Sequence, residues 1–185
     1  MFGSQDYLND IVQGGLGDCY LLAGISSVGE INSRFEKVFV NPTINWAGLY
    51  AFNVFIRGIP HLVVVDDSIP AGSKGKNPDF ASIGLDNSLW GPLLEKAFAK
   101  ANGAYEFIEG GQPYEAIDFL TSAPHYYTSL KKLDASSMWE KVKAADGKNF
   151  IMGIGTPSSP GGDSDVCKFN LPCGHAYSLL GVVTV

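Results

Sequence analysis

From Cys19 onward the chain is apolar on nearly every side of a helical wheel: Tyr20, Leu21, Leu22, Ala23, Ile25 and Val28 follow one another with few interruptions. Glycines at 14, 15 and 17 permit a tight turn just before this run, and Asp18 is a favoured N-cap type, so the pattern predicts a helix over 18–29. LYAFNVFI at 49–56 alternates, HLVVVDD at 61–67 pairs naturally with it, and the short connection from Arg57 to Pro60 predicts a hairpin. Between 89 and 102, Leu89, Trp90, Leu93, Leu94, Ala97, Phe98 and Ala101 recur three and four apart. That spacing predicts a second helix, capped by Asn87 or Ser88 and stopped by Gly103. Gly110-Gly111 followed by Pro113 reads as a linker. A further helix is expected at 135–146, burying Met138, Trp139, Val142 and Ala145 and ending at Gly147, with strand signals returning at 149–155. Two stretches rich in Pro, Gly and Ser, 70–80 and 156–165, read as loops.

Composition narrows the classes. With 185 residues, 45% hydrophobic and 17% charged, the chain can bury a real core as one domain or two small lobes. A net charge of −6 without any Lys/Arg cluster excludes a nucleic-acid partner, because nothing neutralises phosphates. No apolar run is long enough to span a membrane, and no secretory leader pattern is present. Three cysteines, an odd number at uneven spacing, do not resemble a disulfide framework, which implies a reducing, cytosolic setting.

Candidate chemistry gathers at two distant points. A cysteine reacts as its thiolate, and the unpaired N–H groups of a helix N-terminus favour that anion. Cys19 is placed to be the first residue of such a helix, and the amide of Gln13, across the glycine turn, can serve as an oxyanion donor. Near the other end, His175 follows Gly174 at the head of an alternating segment. A cysteine nucleophile needs such a base, remote in sequence and adjacent in the fold.

QGGLGDCYLL around Cys19, VVVDDSIP at 63–70, LWGPLLEKAFAKANGAYEFIEGG at 89–111 and GHAYSLLGV at 174–182 resemble the calpain family of papain-like cysteine proteases, in family order. The resemblance implies an α+β, papain-like fold: a helical, nucleophile-bearing subdomain at 1–110 and the first part of a β-rich, His-bearing subdomain at 111–185. It implies Cys19 as nucleophile, His175 as general base and acid, and Gln13 with the Cys19 backbone N–H as oxyanion hole. Protein substrates would be cleaved through a thioester intermediate in the cytoplasm, with further domains of the same protein as partners. The loops 70–80 and 156–165 would border the cleft between the subdomains. Tyr20 stands where the family usually has tryptophan. The family's third catalytic residue is an asparagine in an Asn-Pro-Trp motif beyond the histidine, and the sequence ends at Val185 before reaching one. A rival reading follows from that gap: a catalytically incomplete scaffold or interaction module. Calcium is the implied cofactor, with Asp10 as a ligand, while Ser88 takes the place of a family glutamate and Asp86 lies nearby.

Other tempting groups are assigned structural roles. Cys167, Cys173 and His175 have irregular spacing and no fourth partner for zinc. Asp66 and Asp67 are adjacent on a strand and point to opposite faces, so they cannot converge on one bond. His61 and His125 are expected to be exposed or hydrogen-bonded.

Overall fold

The computed structural model describes residues 11–72, 78–84 and 87–184. Helix α1 spans Cys19–Gly29, followed by the short α2, Asn32–Phe35. Strands β1 (Leu49–Ile56) and β2 (Ile59–Asp66) form an antiparallel hairpin. Then come α3 (Trp90–Asn102), α4 (Pro113–Thr121), α5 (Ala135–Asp146), and two short strands, β3 (Gly153–Gly155) and β4 (Ala176–Ser178), which pair antiparallel. The fold is mixed α+β, as expected.

The β1–β2 turn is tighter than the sequence suggests. Arg57 and Gly58 alone make it, with φ of 53° and 76°, the two positive values that match the twist of a hairpin. Strand β2 therefore begins at Ile59 and takes in Pro60, opposite Phe55. A proline is tolerated there because this two-stranded ribbon leaves its donor side free. Tyr50, Phe52 and Val54 of β1 and Val63 and Val65 of β2 face inward.

Helix α3 is stopped by Gly103 at φ 108°, as its position after the periodic run predicts. It starts one residue later than a cap at Ser88 would set it, and two later than one at Asn87: Leu89 is the N-cap residue, and its side chain makes no cap bond. Trp90, Leu93, Leu94, Ala97 and Phe98 pack with Leu21, Leu22, Ile25 and Val28 of α1 in one cluster, where Phe35 meets Trp90 edge-on at 4.8 Å. Helix α4 begins at Pro113, at the end of the stretch that reads as a linker. Pro113 sits in its first turn, where the missing N–H costs nothing, and Gln112 and Glu115 close a capping box. Ala116, Ile117, Phe119 and Leu120 of α4 join the same cluster as α1 and α3, so the core continues past Gly111.

The chain beyond α4 is thinner. Helix α5 has the expected bounds, and Asp134 caps it by accepting the Ser137 N–H at 3.0 Å. Yet Met138, Trp139, Val142 and Ala145, expected to be buried, are only half-covered: the periodicity identified the covered face correctly but not how much packs on it. The strand expected at 149–155 shortens to Gly153–Gly155. This segment is tied to the first helices by side chains: Ser27 Oγ donates to the Met152 carbonyl at 2.7 Å, and Arg34 Nη2 to the Asn149 carbonyl at 2.6 Å. Among the described residues no helix is long and apolar enough to cross a membrane.

These burials separate two classes of substitution. Leu21→Ala, at a side chain 0% exposed, should cost about 2–5 kcal/mol. Trp139→Ala should cost no more than about 1 kcal/mol, near the centre of the usual distribution. Urea midpoints of the two variants check this, and equal losses would mean that α5 is packed as firmly as α1.

Candidate active site

The segment before Cys19 is pressed between two others. Gly15 N–H donates to the Asp79 carbonyl at 2.9 Å, and Ser82 N–H to the Val12 carbonyl at 2.9 Å, so residues 79–82 form a strap across the glycine turn. A Cβ on Gly14 would overlap the Phe80 carbonyl. On the other side Gly110 N–H donates to the Gly17 carbonyl at 2.8 Å, and a Cβ on Gly111 would lie 2.6 Å from the Tyr20 ring. The glycine pair read as a linker thus closes onto the turn leading into Cys19. Tyr20 keeps the packing role expected of an aromatic residue there: it is buried, meets Phe98 edge-on at 6.3 Å, and donates its hydroxyl to the Ile108 carbonyl at 3.0 Å.

Cys19 is the first residue of α1, half-buried, and carries a free thiol. As the first residue of a helix it has a backbone N–H without an intrahelical partner. Asp18 occupies the N-cap position, as its residue type predicts, but its side chain makes no cap bond. The carboxyl instead turns into the core toward Glu95 of α3, and burial pushes its pKa up. Glu95 went unnoticed in the sequence. The signal was available: a carboxylate in the middle of a helix apolar on nearly all sides is out of place unless partnered.

Gln13 Nε2 donates to the Leu16 carbonyl at 2.7 Å, so the amide spans its own loop and retains a second N–H. His175 stands immediately before β4, and α1 packs directly on β4. Its backbone is held by a residue not singled out in the sequence: Thr156 Oγ1 accepts the His175 N–H at 3.0 Å, and Thr156 N–H donates to the His175 carbonyl at 2.9 Å. The imidazole meets Tyr177 edge-on at 4.9 Å, and its buried Nδ1 has no hydrogen-bond partner among the described residues. The structure therefore sets Cys19 and His175 on elements that pack together, and Gln13 on the turn leading into Cys19.

Cys167 and Cys173 form a disulfide, contrary to the expectation from the odd cysteine count. Only six positions separate them, so the bond closes a small local loop just before Gly174 and His175. The cysteine count consequently carries no argument for a reducing compartment. Asp66 pairs with Lys96 at 2.8 Å, and hydrogen bonds from Lys96 and Ser68 hold its carboxyl well below the usual carboxylate range. His125 pairs with Asp118 at 3.0 Å and stacks on Tyr114. Two open clefts, of about 450 and 650 Å³, are lined by Lys96, Lys100 and Tyr105 and by Arg57, Asp118 and His125 respectively; neither touches Cys19 or His175. Asp10 and Asp86 lie outside the described residues, and among the described residues no three His, Cys, Asp or Glu side chains converge as metal ligands.

Comparison with known sequences gives one consistent result. Residues 2–185 match the sequence model of the family described as calpain family cysteine protease. A calpain-type cysteine protease of Zea mays, DEK1, is 36% identical over 188 residues, covering 98% of this chain and 8% of its own length. The calpain-2 catalytic subunit of Homo sapiens is 34% identical over 180 residues, covering 95% of this chain and 25% of its own. Calpain-8 of Mus musculus is 33% identical with the same coverage, 95% and 25%. This chain thus spans a quarter or less of each of these relatives.

Exposure and bonding rank the three sulfurs. Brief treatment with iodoacetamide without reductant should label Cys19, while Cys167 and Cys173, joined to each other, stay unlabelled. Peptide mapping reads the result, and equal labelling of all three would remove Cys19's special status.

Proposed function

The chain belongs to the calpain family of cysteine proteases, and from that premise we propose that it forms the catalytic core of a cysteine endopeptidase acting on protein substrates. The observation that carries the reading is the placing of Cys19 at the start of α1, half-exposed, on a helix that packs against the strand following His175. In the proposed cycle His175 takes the thiol proton, and the Cys19 sulfur attacks the peptide carbonyl carbon. The carbonyl oxygen, now negative, is held by the Cys19 N–H and the Gln13 amide, which turns from the Leu16 carbonyl. His175 then returns the proton to the leaving amine, giving a thioester, and a water deprotonated by His175 releases the acid. Residues 1–110 and 111–185 act as the nucleophile-bearing and His-bearing subdomains in this reading, and further domains of the same protein complete it.

The rival reading, an incomplete scaffold, draws on a specific observation. Among the described residues the His175 Nδ1 has no hydrogen-bond partner, and none of them fixes the tautomer on which the cycle depends. The 185-residue chain by itself is therefore expected to hydrolyse peptides weakly. Calcium regulation rests on Asp10, and the described residues supply no ligand cluster to accompany it, with Ser88 in place of a glutamate.

Hydrolysis of a fluorogenic peptide tests the reading, with the chain alone and with the chain extended by the sequence that follows it in the full protein. The extended form should turn over, and Cys19→Ala should abolish that activity. Gln13→Ala should lower kcat roughly 10²-fold with a smaller change in KM, as for the loss of one oxyanion donor. The short chain should be equally weak in calcium and in chelator. Robust calcium-dependent turnover by the short chain would overturn this account of its base, and activity in Cys19→Ala would overturn the nucleophile.

A further inference from the structure

Behind the nucleophile turn two carboxyl groups meet in the core with no cation between them. Asp18 is 0% exposed and Glu95 1%. The Ala81 N–H is shared between the two Glu95 oxygens, at 3.0 and 3.1 Å. Apart from its own backbone N–H, which leans toward it, the Asp18 carboxyl finds no partner among the described residues except Glu95. No Lys, Arg or His among the described residues pairs with either group. The other titratable groups facing them are phenols: Tyr105, packed on Phe80 of the strap, and Tyr20, next to Cys19 on α1. Burial and then nearby charges push both phenols up, so neither supplies a counter-charge; Glu115, then Asp18 and Cys19, act on Tyr20, and Glu95, then Asp18 and Asp66, on Tyr105.

Two ionised carboxylates in contact in a dry core repel strongly, and neither can donate to the other. One proton between them turns the contact into a charge-assisted O–H···O⁻ bond, among the strongest available. We propose that Asp18 and Glu95 share a single proton, and that this proton locks α3 to the turn presenting Cys19, making Glu95 a positioning residue for the nucleophile. The catalytic meaning of the lock rests on Cys19 being the nucleophile. Three segments converge on it. The Asp18 carbonyl accepts the Leu21 and Leu22 N–H groups at 2.8 and 3.3 Å, opening α1. Glu95 holds Ala81, and the strap around Ala81 is bonded to Gly15 and Val12 of the turn.

Glu95 is pushed up to about 9, first by burial and then by its bond to Asp18 and the charge there. The folded chain thus keeps a proton that the unfolded chain releases near the ordinary value of 4.5. Bound protons exceed those of the unfolded state across that window, so stability falls as pH rises through it and levels off above about 9.

Glu95→Gln is the informative variant, because its amide donates to Asp18 at every pH. Infrared spectra of the unmodified chain at neutral pH should show a protonated carboxyl band that Glu95→Gln lacks. Between about pH 5 and about pH 9 the Tm of the unmodified chain should fall, and the variant should show at most about half that fall. Rates of Cys19 alkylation in the two proteins should coincide near neutrality and diverge as the pH nears about 9, where only the unmodified chain loses the lock. Absence of the band, equal Tm slopes, or rate profiles that coincide throughout would each overturn the proposal. If Glu95→Gln does not fold, Asp18→Asn, whose amide donates to Glu95, takes its place with the same expectations. None of these readouts requires peptide hydrolysis, so a failure to cleave peptides counts against the proposed function and leaves this inference standing.

Discussion

The turn that delivers Cys19 has almost no room in it, and the rest of the structure is arranged around that fact. Gly14 lies against the backbone of Phe80, Gly111 against the ring of Tyr20, and the Gly17 carbonyl is claimed by Gly110. Three chain segments far apart in sequence therefore meet backbone to backbone, an approach open only to residues without a Cβ. The apolar faces of α1, α3 and α4 close over this junction and supply the burial that holds it. A free thiol is left half-exposed at the front, and a pair of carboxyls is sealed at the back.

That arrangement separates rigidity from access. The core around Leu21, Trp90 and Phe35 fixes the direction of α1, while the segment carrying His175 is attached more lightly, through Ser27, Arg34 and the packing of α1 on β4. Below His175 the backbone is fastened locally, by Thr156 and by the loop that Cys167 and Cys173 close. His175 is thus anchored by its main chain, and among the described residues its ring nitrogen Nδ1 has no partner. Orientation of that ring is the step on which proton transfer in the proposed cycle depends.

Much of this was legible in the sequence where one face of an element repeats. α1, the hairpin, α3 and α5 follow from periodicity because burial on one face is a local property of the pattern. What periodicity cannot state is the partner, so α5 has the right face but no fully buried side chain on it. Helix α4 escaped because Gly110, Gly111 and Pro113 are punctuation in either reading, and Pro113 is as much at home in a first helical turn as in a linker. Asp18 was placed correctly at a helix start, but the residue type says nothing of the competing carboxyl that Glu95 offers from 77 positions away, a long-range pairing invisible to local rules. The Cys167–Cys173 bond was missed because a parity argument was applied to the whole chain, when two of the cysteines sit in one short loop. The place of Cys19 at the start of α1, by contrast, was legible, since glycine turn, cap residue and apolar helix all converge on one position.

The proposed cycle requires that Cys19, served by His175, form a covalent acyl intermediate. Intact mass measurement and peptide mapping after brief exposure to an activated ester address it most directly. The account predicts one acyl group, carried on Cys19 as a hydroxylamine-labile thioester, absent in Cys19→Ala and formed much more slowly in His175→Ala. Acylation elsewhere in the chain, or at Cys19 at a rate indifferent to His175, would contradict it.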